Sequence, residues 1–318
     1  MPPFVWILLE ILGGLIIFAV LIFVLIFMLV FYNPNRTKKW LEEYTTPPGK
    51  VYDQYRPNMI ECMKQIRNTK HTNFEIESFD GLKLKGKYYE CKPGAPIELM
   101  LHGYRGCAES DLSIGVMRAH KIGHNAFLVD HRAAGFSEGN VITFGVNESK
   151  DCMQWLNLII ETFGKDQKII LTGISMGAAT ALLTAGRADL PKNVVGVIAD
   201  CGYTSAEAII KKIIRRLHLP ENFMFNVIKL GAKLFGGFDL LEANVVEAVK
   251  NIKVPVAFFH GETDSFVPAE MSKQNFDACT SKKHLLFVPN CDHGLAYVLG
   301  QDEYLKVLDE FRADCGLK

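Results

Sequence analysis

One serine has neighbours that are typical of a catalytic nucleophile. Residues 169–177 read Ile-Ile-Leu-Thr-Gly-Ile-Ser-Met-Gly, which places Ser175 in a G-x-S-x-G pattern between an apolar run and a run of small residues. In this pattern the serine lies on a sharp strand-to-helix turn, where bulky neighbours would clash. Gly173, Gly177 and Ala178 are small enough for such a turn. The alternative interpretation is a serine that only caps the following helix.

The base and the acid that such a serine needs can be placed after two later apolar runs. A serine hydroxyl is a weak nucleophile without a base, and His293, which follows Leu285–Val288, is the best placed of nine histidines. Asp264 follows Val254–Phe259, and its carboxylate would fix the tautomer of His293 and stabilise the imidazolium. Asp200 also ends an apolar run and is the reserve candidate. The alternatives are a loop histidine and a turn-forming aspartate.

Two backbone amides are candidates for binding the oxyanion of an acyl-transfer reaction. The N–H of Met176 follows the nucleophile at a helix N-terminus, where the helix dipole favours negative charge. The second donor is expected in the loop after Leu101, and we assign it to the N–H of Tyr104. His102 in the same loop is predicted to be structural.

The elements that must position these residues alternate between apolar runs and helical stretches. A hairpin about Asp80-Gly81 is followed by short apolar runs with helical stretches between most of them, which favours a mostly parallel sheet covered by helices on both faces. Between 204 and 251 no strand pattern occurs, so a helical cap insertion is predicted there. The apolar runs are Ile97–Leu101, Ala126–Val129, Ile169–Leu171, Val194–Ala199, Val254–Phe259 and Leu285–Val288.

The cap region also carries an apolar stripe and a basic cluster. Its stripe consists of Ala206, Ile209, Ile210, Ile213 and Leu217, and a Phe-rich stretch follows it. One interpretation is a cap helix with a solvated basic face. The other is a basic face on anionic lipid, with the Phe-rich part forming an acyl-binding pocket. The basic residues are Lys211, Lys212, Arg215 and Arg216.

The N-terminal segment has the composition of a membrane-spanning helix. The stretch Ile11–Tyr32 contains no charged residue and is long enough to cross the hydrocarbon core of a bilayer. Trp6 lies near one end, and Phe31, Tyr32 and Trp40 lie at or beyond the other, as interfacial residues do. A secretory signal peptide, the alternative, would have a basic start and a small-residue cleavage site. A permanent anchor in residues 1–33 is therefore predicted.

The flanking charge and the cysteines predict where the rest of the chain lies. Arg36, Lys38 and Lys39 follow the span and nothing basic precedes it, which favours a single-pass protein of the cell membrane with its C-terminal part in the cytoplasm. All eight cysteines follow the span without a disulfide-framework spacing, which agrees with a reducing compartment. Residues 34–71 are predicted to be a connector with a short amphipathic helix at 51–67, and residues 72–318 the main domain.

The chain carries five motifs, at residues 102–106, 130–137, 173–177, 260–264 and 292–294. They resemble those of the α/β-hydrolase superfamily over roughly residues 72–315. With the N-terminal span and the stretch 199–205, the chain resembles bacterial membrane-bound hydrolases related to eukaryotic depalmitoylase-like proteins. The resemblance implies an α/β-hydrolase fold, a Ser…Asp…His order and no metal or organic cofactor. One departure is Ala133-Ala134, in a loop that is expected to shape the mouth of the site. The motifs are His102-Gly103-Tyr104-Arg105-Gly106, residues 130–137 (Asp-His-Arg-Ala-Ala-Gly-Phe-Ser), Gly173-Ile174-Ser175-Met176-Gly177, His260-Gly261-Glu262-Thr263-Asp264 and Asp292-His293-Gly294.

These residues predict a membrane-anchored serine hydrolase that cleaves a carboxylic ester or thioester at the lipid bilayer through an acyl-enzyme. Two alternatives remain: a serine peptidase of the prolyl-oligopeptidase type, and a non-catalytic membrane scaffold. The formal net charge of +0 argues against nucleic acid as a partner. His120 and His124 have a ligand-like spacing, but Gly123 interrupts their helix, so no metal site is predicted.

Overall fold

An eight-stranded sheet lies at the centre of the computed structural model, which describes residues 2–34, 44–47 and 49–317. The strand order is β1-β2-β4-β3-β5-β6-β7-β8. The hairpin β1–β2 and the β2–β4 pair are antiparallel, and all other neighbours are parallel. The strands are β1 Thr72–Glu77, β2 Lys83–Tyr89, β3 Ile97–Leu101, β4 Asn125–Val129, β5 Ile169–Ile174, β6 Val194–Asp200, β7 Val256–Gly261 and β8 Lys283–Val288.

Helices cover both faces of this sheet. Side chains alternate along a strand, so Leu99 of β3 faces the cluster formed with α4, α5 and the cap, while Met100 faces α3. The helices are α1 Pro3–Val30, α2 Arg56–Asn68, α3 Ala108–Lys121, α4 Val146–Phe163, α5 Met176–Ala185, α6 Ala206–Arg216, α7 Glu221–Gly231, α8 Val245–Ala248, α9 Ala269–Ala278, α10 Ala296–Leu299 and α11 Gln301–Asp314.

The predicted fold class is confirmed, because the central strands are buried on both faces. Every residue of β3, β4 and β7 is buried, which explains their continuous apolar runs. The parallel register also brings the carboxyl ends of β3, β5, β6, β7 and β8 to one edge. The loops that carry the predicted site residues therefore leave the sheet at the same edge.

The cap between β6 and β7 is helical, as predicted, but its buried stripe differs from the prediction. Besides α6, α7 and α8 it contains a π-helical turn at Ala232–Gly236 and two short 3₁₀ turns. Ile214 is buried, whereas Ile213 and Leu217 are exposed. The stripe is rotated because α7 and the 3₁₀ turn at Leu240–Glu242 pack against only one side of α6.

The N-terminal helix α1 runs from Pro3 to Val30 and is mostly exposed. By length and composition it could cross a membrane, and a signal sequence would meet the same criteria. The flanking residues Arg36, Lys38, Lys39 and Trp40, and Pro48 of the connector, lie outside the described residues.

The predicted connector helix is present but begins later than expected. A 3₁₀ turn occupies Lys50–Tyr52, and α2 starts at Arg56, where Pro57 suits the first turn of a helix. Met59, Met63 and Ile66 bury the predicted apolar face of α2. The division of the chain at residues 33 and 71 remains a prediction.

Candidate active site

The turn between β5 and α5 holds Ser175 in a strained backbone conformation. Its φ of 55° and ψ of −117° are rare for a residue with a side chain and cost on the order of 1–3 kcal/mol. The turn requires glycine on both sides. A Cβ on Gly173 would lie 2.2 Å from the backbone of Gly177, and a Cβ on Gly177 would lie 2.0 Å from the carbonyl oxygen of Leu101.

His293 and Asp264 are joined by a hydrogen bond in the loops that follow β8 and β7. The Nδ1 of His293 lies 2.7 Å from Oδ2 of Asp264. The other oxygen, Oδ1, accepts the backbone N–H groups of Phe266 at 2.8 Å and Val267 at 2.7 Å. The Nε2 of His260 lies 3.1 Å from Oδ2. These contacts fix the orientation of the Asp264 carboxylate toward the imidazole of His293.

The two candidate acids lie in different electrostatic environments. Burial alone would raise the pKa of Asp264, but hydrogen bonds from His260 and His293 outweigh it and hold that pKa well below its usual range. Burial raises the pKa of Asp200 to about 6, against the opposing effect of the same two histidines. Within the described chain the Asp200 carboxylate accepts no hydrogen bond, and its Oδ1 is fully buried. The geometry therefore pairs His293 with Asp264 rather than with the reserve candidate.

Ser175 and His293 line the same cavity. Among the described residues, Oγ of Ser175 has no hydrogen-bond partner, and Nε2 of His293 lies 3.9 Å from Sγ of Cys201. A hydrogen bond between a serine nucleophile and its histidine base often tightens only when substrate is bound. Burial raises the pKa of Cys201 well above its usual value, so this thiol stays protonated and does not compete as a nucleophile.

The two predicted amide donors lie beside Ser175. A Cβ on Gly103 would lie 3.5 Å from Cβ of Ser175, which places the loop that contains Tyr104 against the serine. Asp111 holds this loop, because its Oδ2 accepts the N–H of Gly103 at 3.0 Å. Neither Tyr104 N–H nor Met176 N–H donates to another residue within the described part of the chain.

The imidazole of His102 supports this loop from below, as predicted. Its Nε2 accepts the backbone N–H of His131 at 3.0 Å, and its ring is buried.

The cavity has a volume of about 670 Å³ and is covered by the connector rather than by the cap. Val51, Tyr52 and Met59 line it, whereas no residue of 204–251 does. The prediction that the Phe-rich part of the cap forms the pocket is therefore wrong. Phe225, Ile228 and Phe238 of the cap are instead buried in the cluster that contains the end of α1 and the face of the sheet that carries α5.

The loop with Ala133 and Ala134 also lies elsewhere than expected. Both residues are buried and do not line the cavity with Ser175. The carbonyl of Ala133 instead accepts Nδ2 of Asn33 at 2.6 Å, close to the end of α1. This loop therefore contacts the N-terminal segment and does not shape the mouth.

Tyr52 links the connector to the candidate base and is not among the predicted site residues. Its hydroxyl donates to the backbone carbonyl of His293 at 2.9 Å, and the side chain is buried. The two residues are 241 positions apart. No local pattern marks Tyr52, so only a pairing across the whole chain could have identified it. Asp111 and Cys201 were missed for the same reason.

Metal-ligand chemistry fits this site less well than a triad. The ligand atoms of Cys201, Asp264 and His293 lie within 4.8 Å of one another. However, Asp264 and His293 are hydrogen-bonded to each other, and the raised pKa of Cys201 disfavours the thiolate that binds metals. His120 and His124 contact different partners, the carbonyl of Tyr89 and the carboxylate of Glu98.

The fold and the strand–turn–helix geometry at Ser175 define the class of protein, and comparison with known proteins agrees. A family model described as the alpha/beta hydrolase fold matches residues 99–232. An esterase of Pyrococcus furiosus, Pf2001, superimposes with a TM-score of 0.63 at 20% identity, covering 85% of this chain and 98% of the esterase. The chain thus has the α/β-hydrolase fold, as the resemblance predicted.

Two relatives extend this similarity to sequences. The chain is 24% identical to the uncharacterized protein YqkD of Bacillus subtilis over 309 residues, covering 94% of this chain and 95% of YqkD. It is 25% identical to protein bem46 of Schizosaccharomyces pombe over 254 residues, 78% of each chain.

Proposed function

We propose that this protein is a membrane-anchored serine hydrolase that cleaves carboxylic ester or thioester bonds of acyl substrates. One observation carries the proposal: His293, which is hydrogen-bonded to Asp264, lines the same apolar cavity as Ser175, and Ser175 lies on a strained turn. Strain of this kind persists when the surrounding structure enforces it, as at catalytic sites. The esterase Pf2001 supports a hydrolytic role.

In the proposed reaction, Oγ of Ser175 attacks the substrate carbonyl carbon while Nε2 of His293 accepts the serine proton. The Asp264 carboxylate stabilises the imidazolium that forms. The oxyanion of the tetrahedral intermediate accepts hydrogen bonds from the N–H groups of Tyr104 and Met176. His293 then returns the proton to the leaving alcohol or thiol, and the acyl group stays on Ser175. A water molecule, deprotonated by His293, releases the acid and restores the serine.

The lining of the cavity favours an acyl chain longer than acetyl. Its volume falls in the range of pockets for small organic ligands. Five apolar side chains supply much of its wall and offer an acyl chain the burial that stabilises it, about 0.8 kcal/mol per methylene. These are Val51, Met59, Met100, Leu112 and Val298.

The packing of the last turn of α1 supports the proposal that α1 is a permanent anchor and is not cleaved off. Phe31, at the C-cap of α1, is completely buried in the main hydrophobic core, and Phe27 is 7% exposed. Removal of this segment as a signal peptide would open the core and destabilise the domain. We therefore propose that α1 stays attached and holds the domain at the membrane. The basic residues Arg36, Lys38 and Lys39 favour the cytoplasmic side.

A fluorophosphonate probe tests the proposed nucleophile. The wild-type protein should be labelled, Ser175→Ala should lose labelling and ester turnover, and the matched control Ser281→Ala should keep both. Ser281 lies in the loop before β8, at the opposite edge of the sheet. Labelling that survives in folded Ser175→Ala would contradict the assignment. A folded wild-type protein without labelling would favour the non-catalytic scaffold.

A substrate panel tests the proposed bond and chain length. p-Nitrophenyl esters from acetyl to palmitoyl should give the highest kcat/KM at medium or long chains. Acyl thioesters and peptide amides belong to the same panel. Turnover of peptide amides above esters would favour the peptidase alternative.

A further inference from the structure

The C-terminal end of α1 is part of the folded domain and is not a loose tether. The carbonyl of Val30 accepts the hydroxyl of Tyr104 at 2.6 Å, and the carbonyl of Leu29 accepts Nη2 of Arg105 at 2.8 Å. The N–H of Ile142 donates to the carbonyl of Phe31 at 2.9 Å. These bonds satisfy carbonyls that a helix end leaves open. They fix the direction in which α1 leaves the domain.

The cap helix α7 and the π-helical turn after it pack along the last turns of α1. The ring of Phe235 lies 5.3 Å from that of Phe23 and 5.4 Å from that of Phe27, measured between centroids. Gly231 lies in this contact, since a Cβ there would be at van der Waals distance, 3.6 Å, from both Phe23 and Phe27. The ring of Phe238 packs against Phe31 at 5.4 Å.

Beside this contact the cap exposes large apolar side chains, which we call the cap ridge: Phe223, Leu230, Leu234 and Phe235. Their exposed fractions are 67%, 50%, 62% and 46%. A contiguous apolar surface of this kind usually marks a contact with a protein or a membrane. The ridge is continuous with the exposed apolar surface of α1 through the Phe23–Phe235 contact. The cap ridge should therefore contact the same surroundings as α1, which are the lipids of the bilayer.

The length of α1 determines how deep in the membrane the cap ridge lies. The charge-free residues of α1 after Glu10, Ile11–Val30, form a helix of about 30 Å, which equals the hydrocarbon thickness of a bilayer. Phe23 and Phe27 then lie inside the hydrocarbon, in the half nearer the domain. Because Phe235 packs against both rings, this end of the ridge reaches the same level.

We propose that the cap ridge inserts into the bilayer beside α1, an inference that rests on the membrane anchoring proposed above. Three of the four basic residues of α6 are engaged within the protein instead. Lys211 pairs with Glu207 at 2.7 Å, and Arg215 pairs with Glu221 at 3.0 Å. Nζ of Lys212 donates to the carbonyl of Ser265 at 2.9 Å. The membrane contact is therefore apolar rather than a basic face on anionic lipid.

Insertion of the ridge fixes how the site faces the membrane. Tyr104 and Arg105 line the cavity and also bind the last carbonyls of α1. With α1 and the cap ridge both in lipid, tilting the domain away from the bilayer would withdraw the ridge from the hydrocarbon, so the tilt of the domain relative to the membrane is restricted. The wall of the cavity at Tyr104 is then held at the membrane surface, where acyl substrates reside.

Site-specific photocrosslinking of the full chain in phosphatidylcholine nanodiscs tests the ridge. p-Benzoylphenylalanine replaces Phe223 or Leu234 in the ridge, Leu21 in α1, or Leu299 in α10. Leu299 is 41% exposed, and α10 packs on the face of the sheet opposite the cap. After irradiation, mass spectrometry quantifies lipid adducts. A cooperative thermal transition shows that each variant is folded.

Adducts at positions 21, 223 and 234 at least tenfold above those at 299 would support the ridge. Adducts at position 21 but not at positions 223 and 234 would overturn the proposed insertion of the cap ridge and would leave the proposed anchor intact. Their absence at 21 would overturn the proposed anchoring itself.

Discussion

At the scale of single residues, the site separates two aspartates by their surroundings. Asp264 receives four hydrogen bonds, two from histidines and two from backbone N–H groups, and stays ionised. Asp200 is equally buried but receives none in the described chain, which disfavours its charged form. Since only Asp264 contacts His293, replacing Asp264 and replacing Asp200 should have different effects on catalysis.

Asp264→Asn should lower kcat for a p-nitrophenyl ester by about three to four orders of magnitude, because the amide favours the wrong tautomer of His293. Asp200→Asn should lower it by less than about tenfold, since this carboxylate acts on the imidazolium only through space. Steady-state kinetics of both folded variants provide the measurement. The reverse order of effects would show that Asp200 is the triad acid.

Asp200 should also affect stability in a pH-dependent way. Because its pKa rises from 3.8 to about 6 on folding, the native state holds this proton more tightly than the unfolded chain. The resulting stabilisation is fully present below pH 4 and is lost as the pH rises through 6, at most about 3 kcal/mol. The unfolding free energy of Asp200→Asn relative to wild type should therefore increase between pH 4 and pH 7. Urea unfolding measures this, and parallel pH profiles would contradict it.

At the scale of elements, the turn between β5 and α5 depends on close backbone packing. Gly177→Ala should destabilise the protein by about 3 kcal/mol or more, because the new Cβ would overlap the carbonyl of Leu101 and neither backbone can move. Gly115→Ala in α3 is the matched control. Its Cβ would lie 3.4 Å from Sδ of the flexible Met100, and alanine is the better helix former. Thermal unfolding compares the two, and an unchanged Tm for Gly177→Ala would contradict the turn geometry.

The cap illustrates how packing decides which side of an amphipathic helix is buried. Ile213 and Leu217 fit the apolar period of α6 as well as Ile209 and Ile210 do. Only the side that faces α7 and Leu240–Glu242 is covered, so Ile213 and Leu217 remain exposed. The same arrangement exposes the cap ridge on α7 and the π-helical turn.

At the scale of the whole molecule, the connector completes the cavity. Tyr52→Phe should lower kcat/KM about fivefold, because it removes a hydrogen bond worth roughly 1 kcal/mol that holds the loop of His293. Tyr55→Phe is the matched control, since the Tyr55 hydroxyl makes no hydrogen bond among the described residues. Ester kinetics and the rate of fluorophosphonate labelling measure the effect. Equal rates for the two variants would show that Tyr52 only covers the cavity.

Much of the fold follows from local sequence patterns. The apolar runs locate all the central strands, because a strand buried on both faces must be apolar throughout. The glycines around Ser175 indicate a turn that only small residues can form. His293 and Asp264 can be proposed because loops at the carboxyl ends of parallel strands meet at one edge. For these features the physical cause lies within a few residues of the feature itself.

The sequence left other features open because they depend on which distant surfaces meet. The choice of Asp264 over Asp200 required the distance between His293 and each carboxylate, since both aspartates end strands of the same edge. The connector contributes residues to the lining of the cavity and the cap contributes none, although the cap has the more apolar sequence. Likewise, α1 ends inside the core because the ring of Phe31 packs against the rings of Phe144 and Phe238. Such contacts join residues far apart in the chain, so the tertiary structure alone decides them.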